Sequence, residues 1–383
     1  MCLPVSVTDD ESIHIRHIEG RELPDEDIVV PVVEEVARPW PLRLLFLVIG
    51  LALFVTALGL MKEGARELIG TLEGSVFTDN AWSTLGLGWL GACVVLSGSP
   101  MAASSLALLD GGAIDRDQAF TMLTGSRLGA AFVVLVAGVI YAMRRGHEGS
   151  RRAPVSIGVL SLLLTSMVYV PGAVVGYLLL RRGAFDSLDI GTSTGLTSFT
   201  DQAFGWAVDL MRDVAPDWLL FPVGLIVLLV GFSAFDRALP AMTGERMESE
   251  DSWYTRKWPM FLVGCGVTLL TLSVAVSLTL LVPLVAKGRL RRANTLPYIA
   301  GANITTLADT LVAAIVLGNQ DGVRVVVAVT VTVTIWTLLL LTFAYPALRR
   351  VCLGIAQWAL RSHKRLAAFA AMLFVVPITL IAI

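Results

Sequence analysis

Residues 96–125 read LSGSPMAASSLALLDGGAIDRDQAFTMLTG and residues 272–301 read LSVAVSLTLLVPLVAKGRLRRANTLPYIAG. Set in register 176 residues apart, they keep Leu96-Ser97 over Leu272-Ser273, Gly112 over Gly288 and Gly125 over Gly301 without a gap. Upstream, Gly88 matches Gly264 at the same offset. Further upstream, GLALFVTALGLMKEGARELIG from Gly50 is echoed by GLIVLLVGFSAFDRALPAMTG from Gly224, with Gly70 over Gly244, at an offset of 174. The chain therefore reads as two copies of one unit, residues 41–143 and 218–320.

Composition says where such a unit lives. Hydrophobic residues make up 55% of the 383-residue chain and charged residues only 16%, against about 25% charged in soluble proteins. Apolar segments near the ~20 residues that cross a bilayer fall at 41–61, 83–109, 119–143, 154–180, 218–239, 258–286, 294–318, 323–346 and 365–383. Residues 1–40 carry ten acids and three arginines; with no basic start and apolar core they are not a signal peptide, and a disordered cytoplasmic tail is expected. His14 and His17 in that tail are two ligands, which do not make a metal site. A net charge of −2 gives no basic footprint for nucleic acid. Cys2, Cys93, Cys265 and Cys352 form no CxxC pair, so neither a disulfide framework nor a transition-metal site is expected. No nucleophile–base pair and no phosphate-binding loop stands in the chain, so it is read as neither an enzyme nor an ATP-driven pump.

Two segments, 83–109 and 258–286, depart from simple spans. The first holds Gly86, Gly88, Gly91, Gly98 and Pro100, the second Gly264, Gly266, Ser273, Ser277 and Pro283. Broken backbone is tolerated at membrane depth only where it is buried in protein or lines a cavity, so both read as re-entrant hairpins. Loop charge supports this, because cytoplasmic loops collect Lys and Arg. Arg144, Arg145, Arg151 and Arg152, then Lys287, Arg289, Arg291 and Arg292, then Arg349, Arg350, Arg361, Lys364 and Arg365 belong inside. The acidic 183–217 stretch and the 110–118 turn belong outside, although Arg181 and Arg182 run against that side. These sides agree only if each hairpin returns to the face it entered from. The two copies are then inverted, which is the architecture of secondary transporters with a midplane site at the repeat interface. The expected fold is an all-α integral membrane protein: an inverted-repeat secondary transporter with two re-entrant hairpins, a linking helix and acidic loop at 144–217, and C-terminal helices at 321–383.

The second copy runs SLTLLVPLVAKG and then LPYIAGANITTLADTL over 277–311, with Gly301-Ala302-Asn303-Ile304 followed by Thr305 and Thr306. Together with the G-L-x-x-F opening at Gly50, this resembles the type II sodium–phosphate cotransporter family. The resemblance covers roughly 41–143 and 218–320. It implies sodium-coupled uptake of phosphate or a similar small anion, with no cofactor beyond sodium; the low charge and the lack of a targeting sequence lead us to expect a plasma (inner) membrane, and the loop charges a cytoplasmic N-terminus. The family's Gln-Ser-Ser-Ser motif is degraded in both copies, to Ser97-Gly98-Ser99-Pro100 and Leu272-Ser273-Val274-Ala275, and its first Asn is replaced by Arg127. A membrane scaffold or sensor that keeps the fold without transporting is the alternative.

The candidate anion-binding residues are Ser97, Ser99, Ser104, Ser105, Arg127, Ser273 and Asn303. Hydroxyls and free amides at a half-helix N-terminus attract oxyanions, though small residues there also serve close packing. Ser126, Asn303, Thr305, Thr306 and Asp309, with Thr310 on the same helix, supply the amide, hydroxyl and carboxylate oxygens that hard cations take, provided the helix unwinds near Gly301. A carboxylate at that depth is a functional candidate by default. Arg127 and Asp309 lie on spans running in opposite directions. Counting about 1.5 Å per residue from each midpoint places both roughly 4–6 Å toward the outside, so the two charges are expected to pair.

Overall fold

A computed structural model describes residues 39–72, 74–144, 152–188, 194–214, 216–238, 256–286 and 290–383; the expectations for the acidic tail and for the 145–151 and 287–289 loops lie outside them. All regular structure there is helical: α1 (Trp40–Leu72), α2 (Ala81–Val95), α3 (Gly98–Asp110), α4 (Arg116–Ala130), α5 (Phe132–Arg144), α6 (Arg152–Arg181), α7 (Thr194–Val214), α8 (Leu220–Ala238), α9 (Lys257–Thr271), α10 (Val274–Thr279), α11 (Leu281–Ala286), α12 (Arg292–Thr305), α13 (Leu307–Leu317), α14 (Gln320–Phe343), α15 (Tyr345–Leu360) and α16 (His363–Ala382). Among the described residues seven helical stretches are long and apolar enough to cross a membrane, counting Arg116–Met143 and Arg292–Leu317 as single spans. They coincide with seven of the nine apolar segments of the sequence. The other two, 83–109 and 258–286, are broken into shorter helices.

Two helices escape a reading by apolar length. Helix α7 lies within the acidic 183–217 stretch and is tied to α1 by Arg212 to Glu63 at 2.6 Å. Helix α15 follows immediately on α14, its Pro346 in the first turn, where the missing N–H costs nothing. It buries only Leu348, Cys352, Ala356 and Ala359, a single face at helical spacing, so it is too amphipathic to register as a span.

The 176-residue offset of the sequence recurs in the backbone. Helix α2 ends on Leu96 (φ 56, ψ 27) and α9 on Leu272 (φ 50, ψ 19); these are the two non-glycine residues of positive φ among those described. Ser97 and Ser273 then cap the next helix, and α4 and α12 begin at Arg116 and Arg292. Packing follows the same register. A Cβ on Gly88 would lie 2.0 Å from the Met122 carbonyl oxygen, and one on Gly264 2.2 Å from that of Tyr298. A Cβ on Gly125 would lie 2.1 Å from Leu85 O, and one on Gly301 2.2 Å from Phe261 O. Only glycine lets α2 lie backbone to backbone on α4, and α9 on α12. The broken segments differ at one point: α3 is continuous, whereas its counterpart is split at Leu280, three residues before Pro283, whose ring and missing N–H cannot continue a regular helix.

Polar contacts tie the helix ends together in two groups. Gln118 Nε2 donates to Thr78 O (2.7 Å), Lys62 pairs with Asp110 (2.8 Å), and Asn319 Nδ2 donates to Asp110 Oδ1 (2.8 Å). The same end holds Arg116–Asp186 (2.7 Å) and Arg181–Asp117 (3.3 Å), so Arg181 is neutralised within the acidic cluster. At the far end of α6 and α14, Lys257 Nζ donates to Leu341 O (2.7 Å) and Tyr345 OH to Ala293 O (3.4 Å). Helix α6 runs between these ends through the centre of the core, with Ile157, Leu160, Leu164 and Tyr169 fully buried.

Candidate functional site

Helix α4 is anchored by a capping box, in which Asp115 accepts from the Gln118 backbone and Gln118 returns a bond to the Asp115 N–H. Three turns further on, the helix carries Arg127 into the core, only 3% exposed. Opposite it, α12 stops at Thr305 and α13 starts at Leu307, with Thr306 as the joint. Arg127 Nη1 donates to Thr306 Oγ1 at 3.0 Å. Its Nη2 donates to Thr310 Oγ1 and lies 3.6 Å from Asp309 Oδ1. Thr310 Oγ1 in turn donates to Asp309 Oδ1 at 2.8 Å. The charge pair expected from depth alone is present, and two threonines on successive turns complete it.

The network is incomplete in an informative way. Arg127 Nε and Asp309 Oδ2 are buried and have no hydrogen-bond partner. A buried polar atom without a partner costs about 1–3 kcal/mol, so one spare donor and one spare acceptor beside a buried ion pair are the features a small polar ligand would satisfy.

Asn303 occupies the place 176 residues after Arg127 but faces a different partner. Its Nδ2 donates to Thr165 Oγ1 (3.0 Å) and its carbonyl accepts from Tyr169 OH (2.7 Å), both on α6. The other expected residues do not join Arg127. Ser104 and Ser105 are buried and donate to Pro100 O (2.8 Å) and Ala102 O (2.7 Å) of their own helix. Ser126 donates to Leu123 O (2.7 Å) and Thr305 to Gly301 O (3.2 Å). Ser273 accepts from the Val276 N–H as an N-cap (3.2 Å), whereas Ser97 caps α3 without a side-chain bond. Ser97 and Ser99 are half-buried. The expected unwinding near Gly301 is corrected: the helix runs through Gly301, which serves close packing on α9, and breaks five residues later at Thr306.

Two groups of buried polar residues lie outside the site candidates read from the sequence. The first is Ser161, Thr165 and Tyr169 on α6, spaced i, i+4, i+8, which puts them on one face; that spacing was the available signal. Ser161 Oγ is buried without a partner. The second is a chain in which Thr268 Oγ1 donates to Ser277 Oγ (2.7 Å), itself 2.9 Å from Tyr298 OH. The first copy has Ala92, Met101 and Met122 at the matching positions, all in one apolar cluster. The two copies thus hold polar chemistry in different places: the first in Arg127, the second in Ser277, Tyr298 and the α12–α13 joint.

No family model, curated protein or solved structure matches this chain.

Proposed function

We propose that the chain is a secondary active transporter of a small anion, in its most specific form a sodium-coupled phosphate transporter of the plasma (inner) membrane with a cytoplasmic N-terminus. The observation that carries this reading is the buried Arg127–Asp309 pair with its two unpartnered atoms. Supporting it are the recurrence of caps and glycine contacts at 176 residues and the resemblance of 277–311 to the type II sodium–phosphate cotransporters. The contacts of the helix ends favour an inverted repeat: α2 and α3 both have their outer ends near the Thr78–Gln118 and Lys62–Asp110 contacts, and α9 starts near the opposite end of α14. With each broken segment returning to its own face, the two would be re-entrant hairpins entering from opposite sides.

In this mechanism the planar guanidinium of Arg127 supplies a fixed positive charge at the site. It takes the role of one coupling ion and neutralises Asp309 in the empty carrier. An oxyanion docks on the spare Nε edge of the guanidinium, where planar fork geometry suits it. The anion competes with Asp309 for the positive charge, and the released carboxylate, with Oδ2 and the threonine hydroxyls, holds a sodium ion. Substrate and cation thus assist each other's binding, while fewer sodium ions are needed than with two separate cation sites.

Uptake of radiolabelled phosphate into proteoliposomes, with and without an inward sodium gradient, tests the reading. Accumulation under the gradient supports it. Phosphate binding without uptake and without any cation effect would favour the scaffold or sensor alternative.

A further inference from the structure

Two cavities adjoin where α6 and α12 begin and α15 ends. The larger, about 620 Å³, has apolar walls including Val139, Met143 and Val155. The smaller, about 240 Å³, is lined by Arg152, Arg292, Arg361, Gln357 and Leu360. Arg152, Leu360 and Arg361 belong to both. Among the described residues no carboxylate lines either cavity, and none of the three guanidinium groups forms an ion pair. Three like charges facing one small space repel one another unless an anion sits between them. The neighbouring helix adds the marks of an interfacial element: α15 is amphipathic, and its half-exposed Trp358 lies under Arg365, with the guanidinium 5.4 Å from the ring centroid.

We infer that this is a binding site for an anionic phospholipid, its phosphodiester held by Arg152, Arg292 and Arg361 and an acyl chain lying along the apolar walls of the larger cavity. The phosphate group alone would meet the arginines equally well. The adjoining apolar space is what a soluble phosphate would leave unused, and it selects the lipid. The site lies apart from Arg127 and Asp309 and does not depend on the transport reading.

The test is retention of dioleoylphosphatidylglycerol against dioleoylphosphatidylcholine by the full-length protein in detergent, read by native mass spectrometry. The wild type should retain the anionic lipid preferentially. R152Q and R361Q should each lower that retention about fivefold, since a basic residue near a lipid surface contributes about 1 kcal/mol. R350Q, on α15 but outside both cavities, should leave it unchanged, and M143W should lower it by filling the apolar space without altering charge. The inference is overturned if R350Q acts as strongly as R152Q, which means general surface attraction. It is overturned too if M143W and the cavity arginine variants all retain the lipid as the wild type does. Displacement of the lipid by millimolar inorganic phosphate would convert the site into one for a soluble anion and reject the lipid.

Discussion

Arg127 and Asp309 each depend on the other for being buried. Removing one partner of such a pair leaves an uncompensated charge and costs about 3–5 kcal/mol, whereas replacing both by apolar residues of similar size is often neutral or stabilising. Asp309→Asn and Arg127→Met should therefore each lower the thermal unfolding temperature markedly, and Arg127→Met combined with Asp309→Leu should regain most of it. If the double variant is no more stable than the singles, the two charges do not act as a pair. The pair was legible in the sequence because depth can be counted along two antiparallel spans. Its threonine partners were legible through the polar run at 303–310. Thr165 and Tyr169 were not, because α6 as a whole reads as an ordinary apolar span and the three-residue stripe is diluted by 27 other residues. The hydroxyls of Ser104, Ser105 and Ser126 illustrate the opposite error. In an apolar helix a serine commonly satisfies itself on its own backbone, and that is where these three donate.

At the scale of elements, the glycines that register the two copies are the ones whose removal should matter. Gly88→Ala, Gly125→Ala, Gly264→Ala and Gly301→Ala each place a methyl 2.0–2.2 Å from a backbone carbonyl oxygen of the neighbouring helix. Backbone cannot step aside as a side chain can, so each change should sharply reduce folded protein in detergent. Gly266→Ala, with nothing within 4 Å, should be tolerated and is the control; size-exclusion profiles of the five variants decide. The fixed offset that made these glycines visible in sequence is a packing constraint, since each one touches the helix that its equivalent touches in the other copy. Helix breaks were less readable. Gly301 looks like the flexible point but is pinned against α9, while the break falls at Thr306, a residue with no local signal for it. The amphipathic helices α7 and α15 stayed hidden for another reason, as their polar faces hold them below the hydropathy of a span.

Across the whole molecule, loop charge and the contacts at the helix ends favour one arrangement of sides. Single cysteines at Ala113 and Ala286, in a background lacking the native thiols, should react with an impermeant reagent from opposite faces of sealed vesicles. Labelling of both from the same face would remove the inverted repeat and with it the argument for a midplane site. The central claim is that the Arg127–Asp309 pair does more than hold helices together. It is tested most directly by the initial rate of radiolabelled phosphate uptake into proteoliposomes under an inward sodium gradient, comparing the wild type with the Arg127→Met, Asp309→Leu double variant. The account predicts uptake by the wild type and none by the double variant, even though the latter stays folded. Uptake by the double variant at the wild-type rate, or no phosphate uptake by the wild type itself, would contradict it.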